Sequence, residues 1–104
     1  MYDMKHLRRL AQLDHLAPES FAAFKALDDV AFKDGAIPRK YKELMAIVAA
    51  QITQCPYCLE VHARLARRHG ATEEEIGEAV MVAVAMAAGA AVTHGAHVLS
   101  EPKN

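Results

Sequence analysis

Tryptophan is absent, aromatic residues make up only 6% of the chain, and cysteine occurs just twice, at Cys55 and Cys58. Two cysteines are too few for the disulfide framework of a small secreted scaffold. No segment shows the strict apolar/polar alternation of a half-buried strand, which excludes an ordinary β-sheet. Charge of one sign is also missing: 12 basic and 13 acidic residues leave a formal charge of −1. That balance supplies no electrostatic reason to bind nucleic acid or an acidic membrane. Met1 to His6 has no apolar core of signal-peptide length, so a secretory leader is not expected. The longest apolar run, Ala79 to Val92, is shorter than the roughly 17–25 residues of a membrane span and contains Gly89. Two cysteines without a secretory signal point to a reducing compartment, hence a cytoplasmic protein, where such a pair is catalytic or metal-binding more often than a staple.

What the chain has is helical punctuation. The 104 residues form one domain, residues 1–104, with 53% apolar content much of which is alanine. Alanine fills helices but builds a thin core, so the excess of apolar surface favours burial between subunits. A first helix is expected from Asp3 as N-cap to His15, with Leu7, Leu10 and Leu13 on one stripe. Pro18 opens a second, with Phe21, Phe24, Leu27 and Val30 or Ala31 as its apolar face and Gly35 as its stop. Pro38 opens a third through Ile52, and a break is expected over 52–54, because Pro56 belongs in the first turn of a fourth helix capped by Cys55. That helix ends at Gly70. The Thr72-Glu73-Glu74-Glu75 capping box starts a fifth, which Gly89 kinks or divides from a last helix over 90–99, before the polar tail 100–104. The fold class is therefore all-α, five or six short helices. The fifth helix is apolar nearly all round, which makes it a contact with another copy or a central core helix.

Within this frame Cys55-Pro56-Tyr57-Cys58 is followed four residues later by His62, with Glu43 twelve positions before Cys55. Cysteines three apart on a helix lie close enough to exchange a disulfide. An imidazole four residues beyond Cys58 lies over the same face and can take that thiol's proton. Cys55 at a helix start feels the positive end of the peptide dipoles, which favours a thiolate. The break near Gln54 lets the third helix fold back on the fourth, so that Glu43 can orient His62 in a nucleophile, base and acid arrangement. The chemistry that follows is attack of the Cys58 thiolate on a peroxide, giving a sulfenic acid that Cys55 resolves to a disulfide.

The spacing Glu43, Cys55, Cys58, His62 resembles the signature of the alkylhydroperoxidase D-like proteins of the carboxymuconolactone decarboxylase superfamily. The resemblance extends through Arg39-Lys40-Tyr41-Lys42-Glu43-Leu44 and Gly70-Ala71-Thr72-Glu73-Glu74-Glu75-Ile76, over roughly residues 20–99. It implies an all-helical homo-oligomer, trimer or hexamer, that reduces hydroperoxides with a Glu43/His62 proton relay. It also implies an external dithiol reductant of lipoyl or thioredoxin type, and no cofactor or metal. One departure stands out: Tyr57 occupies the place where family peroxidases carry a histidine. A phenol keeps its proton at neutral pH, so it hydrogen-bonds better than it shuttles. That leaves disulfide exchange, or redox sensing, as an alternative to peroxide turnover.

Three other readings compete. Cys-Pro-Tyr-Cys by itself is similar to a glutaredoxin site, which would require strands around it. Cys55, Cys58, His94 and His97 make a Cys₂His₂ set that could hold zinc in an interaction module. Singly, each cysteine or His62 is a small core or surface residue. His94 and His97 are otherwise a polar face or subunit contact, Met81 and Met86 packing residues, and Tyr41 and Phe24 core residues that could line a pocket.

Overall fold

Local signals set most of the helix ends. In the computed structural model, which describes residues 2–103, Asp3 caps the first segment by accepting the Lys5 amide on its carboxylate at 2.9 Å. Met1 and Asn104, the outer residues of the expected leaderless start and polar tail, lie outside the described residues. The Asp3-capped segment is not the α-helix expected over 3–15. Met4–Gln12 is a 3₁₀ helix, followed by a short α-helix, α1, over Leu13–Leu16. Pro18 occupies the first turn of α2 (Pro18–Phe32), α3 covers Arg39–Thr53, α4 Pro56–Arg68 and α5 Glu73–His94, and a 3₁₀ turn closes at Gly95–Val98. There is no strand among the described residues, so the glutaredoxin-like reading of Cys-Pro-Tyr-Cys fails and the chain is all-α.

Two expected stops do not operate. The second helix ends before Gly35, because Lys33 turns extended (φ −63°, ψ 149°), and the Asp34 side chain reaches forward to accept the Arg39 amide at 2.6 Å. Asp34 therefore helps start α3, and Gly35 is not needed as a cap. Gly89 does not divide α5. A glycine in a helix interior costs only about 1 kcal/mol, too little to break 22 residues of alanine- and valine-rich helix.

The break expected before Cys55 falls on Gln54, which adopts the left-handed conformation (φ 58°, ψ 50°). Gly70 takes φ 93° after α4, a conformation that costs glycine nothing. At Thr72 both halves of the capping box form: Thr72 Oγ1 accepts the Glu75 amide at 3.0 Å and Glu75 accepts the Thr72 amide at 2.9 Å. Glu75 also receives Lys40 at 3.0 Å, tying α5 to α3.

The core lies where α3 packs against α4 and α5. Ile47, Ala50, Ala66, Ala71, Ile76, Ala79 and Ala83 are buried there, with Leu44, Leu59 and Ala63 half-buried around them. The alanines make this core thin, as their small side chains require. Outside it, α2 buries no residue at all. Phe24, Leu27 and Val30 are 58–66% exposed, so the apolar face expected to be core faces outward. On α5 only Ile76, Ala79 and Ala83 are buried, while Met81, Val82 and Met86 are exposed, which excludes a central core helix. The accessible surface is 8155 Å², against about 5,800 Å² for a compact monomer of this mass.

Because Gly89 leaves the helix intact, Glu73–Val98 forms 26 residues that by length and composition could cross a membrane, contrary to the expectation from the shorter run. One such helix carries little weight, since helices buried in protein contacts share that composition.

Candidate functional site

The αL turn at Gln54 reverses the chain so that α4 runs back along α3. Cys55 follows in extended conformation and caps α4 with its own side chain: Sγ accepts the Cys58 amide at 3.3 Å. A sulfur at this position faces the unsatisfied amides and the positive end of the helix dipole, where a thiolate is favoured. Cys55 and Cys58 are joined in a disulfide with Cα atoms 5.3 Å apart, and the described chain has no free cysteine. Both residues are half-buried.

One turn further along α4, His62 meets Glu43 of α3. The imidazole Nδ1 lies 2.6 Å from Glu43 Oε1, and the carboxylate is fully buried. An ionised carboxylate only accepts, so Nδ1 carries the proton in this contact. A neutral ring then presents Nε2 as its acceptor. Oε2, the second carboxylate oxygen, receives Arg39 Nε at 3.0 Å from one turn earlier on α3. Thus each oxygen of the buried acid has one charged or polar donor, which burial of a carboxylate requires.

Phe32, the last residue of α2, stacks on the His62 ring with centroids 5.0 Å apart and planes 17° from parallel. Asp28, Asp29, Phe32 and Leu65 join Arg39, Glu43 and His62 around a cavity of about 60 Å³. That is far below the 300–1,000 Å³ of an organic-ligand pocket, but it is room for one or two waters. Among the described residues, no hydrogen bond joins His62 to either sulfur in this oxidised state.

The structure therefore brings Glu43 to His62 and joins Cys55 to Cys58, and places all four on the α3–α4 hairpin. Arg39 and Phe32 complete the surroundings of Glu43 and His62. The four-residue spacing of Arg39 and Glu43 was a readable helix-pair signal, whereas the Phe32 contact crosses 30 residues and has none. Tyr41 and Phe24 are 45% and 58% exposed, and neither is core or lines this cavity. His94 and His97 are exposed and pack edge-to-face on each other at 5.0 Å. No group of three or more His, Cys, Asp or Glu side chains converges as metal ligands among the described residues. The zinc set of Cys55, Cys58, His94 and His97 is thus not assembled, because its histidines lie at the far end of α5 and its sulfurs bond to each other.

Comparison with known proteins agrees with this architecture. The model of the carboxymuconolactone decarboxylase family matches residues 18–101. An uncharacterized protein of the cox locus of Paracoccus denitrificans is 53% identical over 72 residues, 69% of this chain and 65% of that protein. The chain thus spans just under two thirds of that relative's length. An uncharacterized protein of Cupriavidus necator is 29% identical over 89% of this chain and 82% of its own. Among solved structures, a carboxymuconolactone decarboxylase family protein from Legionella pneumophila superposes with TM-score 0.76 at 35% identity, covering 88% of this chain and 82% of that one. A Methanobacterium thermoautotrophicum protein gives TM-score 0.73 at 28% identity, over 78% of this chain and 93% of its own.

Proposed function

The chain belongs to the carboxymuconolactone decarboxylase family, and we propose that it acts there as a thiol-dependent peroxidase. The observation that carries this reading is the 2.6 Å contact between His62 and the buried Glu43, one helical turn from the disulfide-bonded Cys55 and Cys58. In the reduced protein His62 Nε2 takes the Cys58 proton, and Glu43 holds the resulting imidazolium. The Cys58 thiolate attacks the distal peroxide oxygen. The O–O bond breaks, Cys58 becomes a sulfenic acid, and the alkoxide leaves as alcohol with the proton from His62. The Cys55 thiol then attacks the Cys58 sulfur, releasing water and forming the disulfide. An external dithiol, lipoyl- or thioredoxin-like, returns both thiols in exchange for its own disulfide.

Stopped-flow mixing of the reduced protein with alkyl hydroperoxides tests this directly. One equivalent of peroxide consumed with loss of two thiols supports it; no consumption by the freshly reduced protein overturns it.

Tyr57 favours a second reading, dithiol–disulfide exchange with little peroxide turnover. Its hydroxyl is engaged by Asp3 and His6 and stands where a relay histidine is implied. We further propose a homo-oligomer, trimer or hexamer, in the cytoplasm. The exposed apolar faces of α2 and α5 and the large accessible surface support mutual burial. A reducing compartment suits a pair that must be recycled.

A further inference from the structure

A second cluster surrounds the cysteine turn and uses none of the Glu43 machinery. Tyr57 lies between the two cysteines, and its hydroxyl accepts the Asp3 amide at 3.3 Å and lies 3.4 Å from His6 Nδ1. The Tyr2 ring packs edge-on against the Tyr57 ring, with centroids at 4.9 Å and planes at 65°. Tyr2 also donates its hydroxyl to Glu60 Oε2 at 2.7 Å, on the next position facing out of α4. Four contacts therefore pin residues 2–6 to the first turn of α4, beside the disulfide. The attachment is superficial: three polar contacts and one aromatic edge contact. The 3₁₀ segment Met4–Gln12 buries no residue, and nine residues of 3₁₀ helix is long for a conformation with strained hydrogen-bond angles. Because it buries no residue, its displacement would remove nothing from the core.

We propose that Tyr2 and His6 are specificity-determining residues of the dithiol site, forming a strap over Tyr57 and Glu60 that a protein reductant must displace. The inference rests on the redox reading of Cys55 and Cys58, though not on peroxide being the oxidant. In the reduction step a reductant thiolate bonds to Cys55 Sγ. The Cys55–Cys58 bond breaks, its electron pair goes to Cys58, and a proton follows. The reductant's second thiol then attacks its own sulfur in the mixed disulfide, freeing Cys55 as thiol and leaving as disulfide. A small dithiol needs only a line of approach to one sulfur. A protein dithiol needs a surface: even weak redox encounters bury on the order of several hundred Å² per partner. A footprint of that size centred on Cys55 takes in Tyr57 and Glu60, where the strap lies. The strap therefore slows protein reductants while leaving small thiols nearly unaffected.

The test compares wild type with the Tyr2→Ala/His6→Ala double variant, both oxidised, reduced in parallel by a thioredoxin and by dithiothreitol. The expected result is a thioredoxin rate constant raised about five- to tenfold, the equivalent of one or two lost hydrogen bonds, with the dithiothreitol rate within about twofold. Tyr2→Phe, which keeps the ring and loses the Glu60 bond, falls between. Equal thioredoxin rates in all three proteins overturn the proposal, as does a parallel rise with both reagents, which marks a loosened turn. A slower thioredoxin reaction overturns it too, by making the segment part of the docking surface. Should the wild-type disulfide resist both reagents, the redox reading itself fails; absence of peroxide consumption alone leaves the strap experiment intact.

Discussion

His62 and Glu43 stand 19 residues apart in the chain and 2.6 Å apart in space, the carboxylate wholly buried and the imidazole partly so. The buried carboxylate fixes the orientation of the ring through Nδ1 and leaves Nε2 as the nitrogen free to face another group. Glu43→Gln keeps the shape and removes the charge that steadies imidazolium. We expect the thiolate absorbance of reduced Glu43→Gln and His62→Gln to develop at higher pH than in wild type. Their peroxide reaction should slow by about 10²-fold, the usual worth of a positioned base. An unchanged thiolate titration in His62→Gln would remove it as the proton acceptor.

The two sulfurs should separate cleanly by substitution. Cys58→Ser abolishes peroxide consumption, because the remaining thiol lies a turn further from His62. Cys55→Ser permits a single turnover and leaves a sulfenic acid that a dimedone-type reagent traps, read by mass spectrometry. Multiple turnover in Cys55→Ser at the wild-type rate rules out its resolving role.

Arg39 bonds the buried carboxylate from a position 34% exposed. Its loss leaves Glu43 with His62 alone. Arg39→Gln should cost about 2 kcal/mol, below the 3–5 of a fully buried pair because the guanidinium is partly solvated. Denaturant unfolding measures this, and Glu43→Gln in the Arg39→Gln background should recover part of it, since no buried charge then lacks its partner.

Glu75 joins helix capping to an interhelix ion pair. The Thr72 backbone bond, followed by Lys40, holds its carboxyl below the usual carboxylate range. A depressed folded-state value contributes stability above the unfolded carboxylate range, and that contribution disappears as pH falls through the folded value. Glu75→Gln should therefore unfold at lower denaturant than wild type near neutrality, with the two midpoints converging in acid. A gap that persists or widens at low pH contradicts this account.

For the assembly, Met81 and Met86 are 61% and 64% exposed on α5. Met81→Glu/Met86→Glu should lower the mass found by sedimentation velocity while leaving the helical circular dichroism in place. A wild type that sediments as a monomer at micromolar concentration would contradict mutual burial of these faces.

Where a feature depends on neighbours in sequence, the chain could be read with few errors. Asp3, Cys55 and Thr72 cap helices where the residue types require, because capping is settled within four residues. Gly35 misled because its neighbour Asp34 reaches forward to Arg39, and Gly89 because a single glycine is a small penalty inside a long helix. The spacing of Glu43, Cys55, Cys58 and His62 foretold that they share one helical hairpin, since two helices joined by a short turn offer few ways to place them.

By itself, then, the sequence determined the all-helical class, the caps, the turn at the cysteines and the four side chains of the candidate site. Only the tertiary structure decided that Phe32 covers the His62 ring, that Arg39 shares the buried carboxylate, and that residues 2–6 lie on Tyr57. It also decided that the apolar faces of α2 and α5 point outward. Periodicity says that a face is apolar; what covers that face is set by the packing of distant segments, and helices joined by short turns leave several arrangements open.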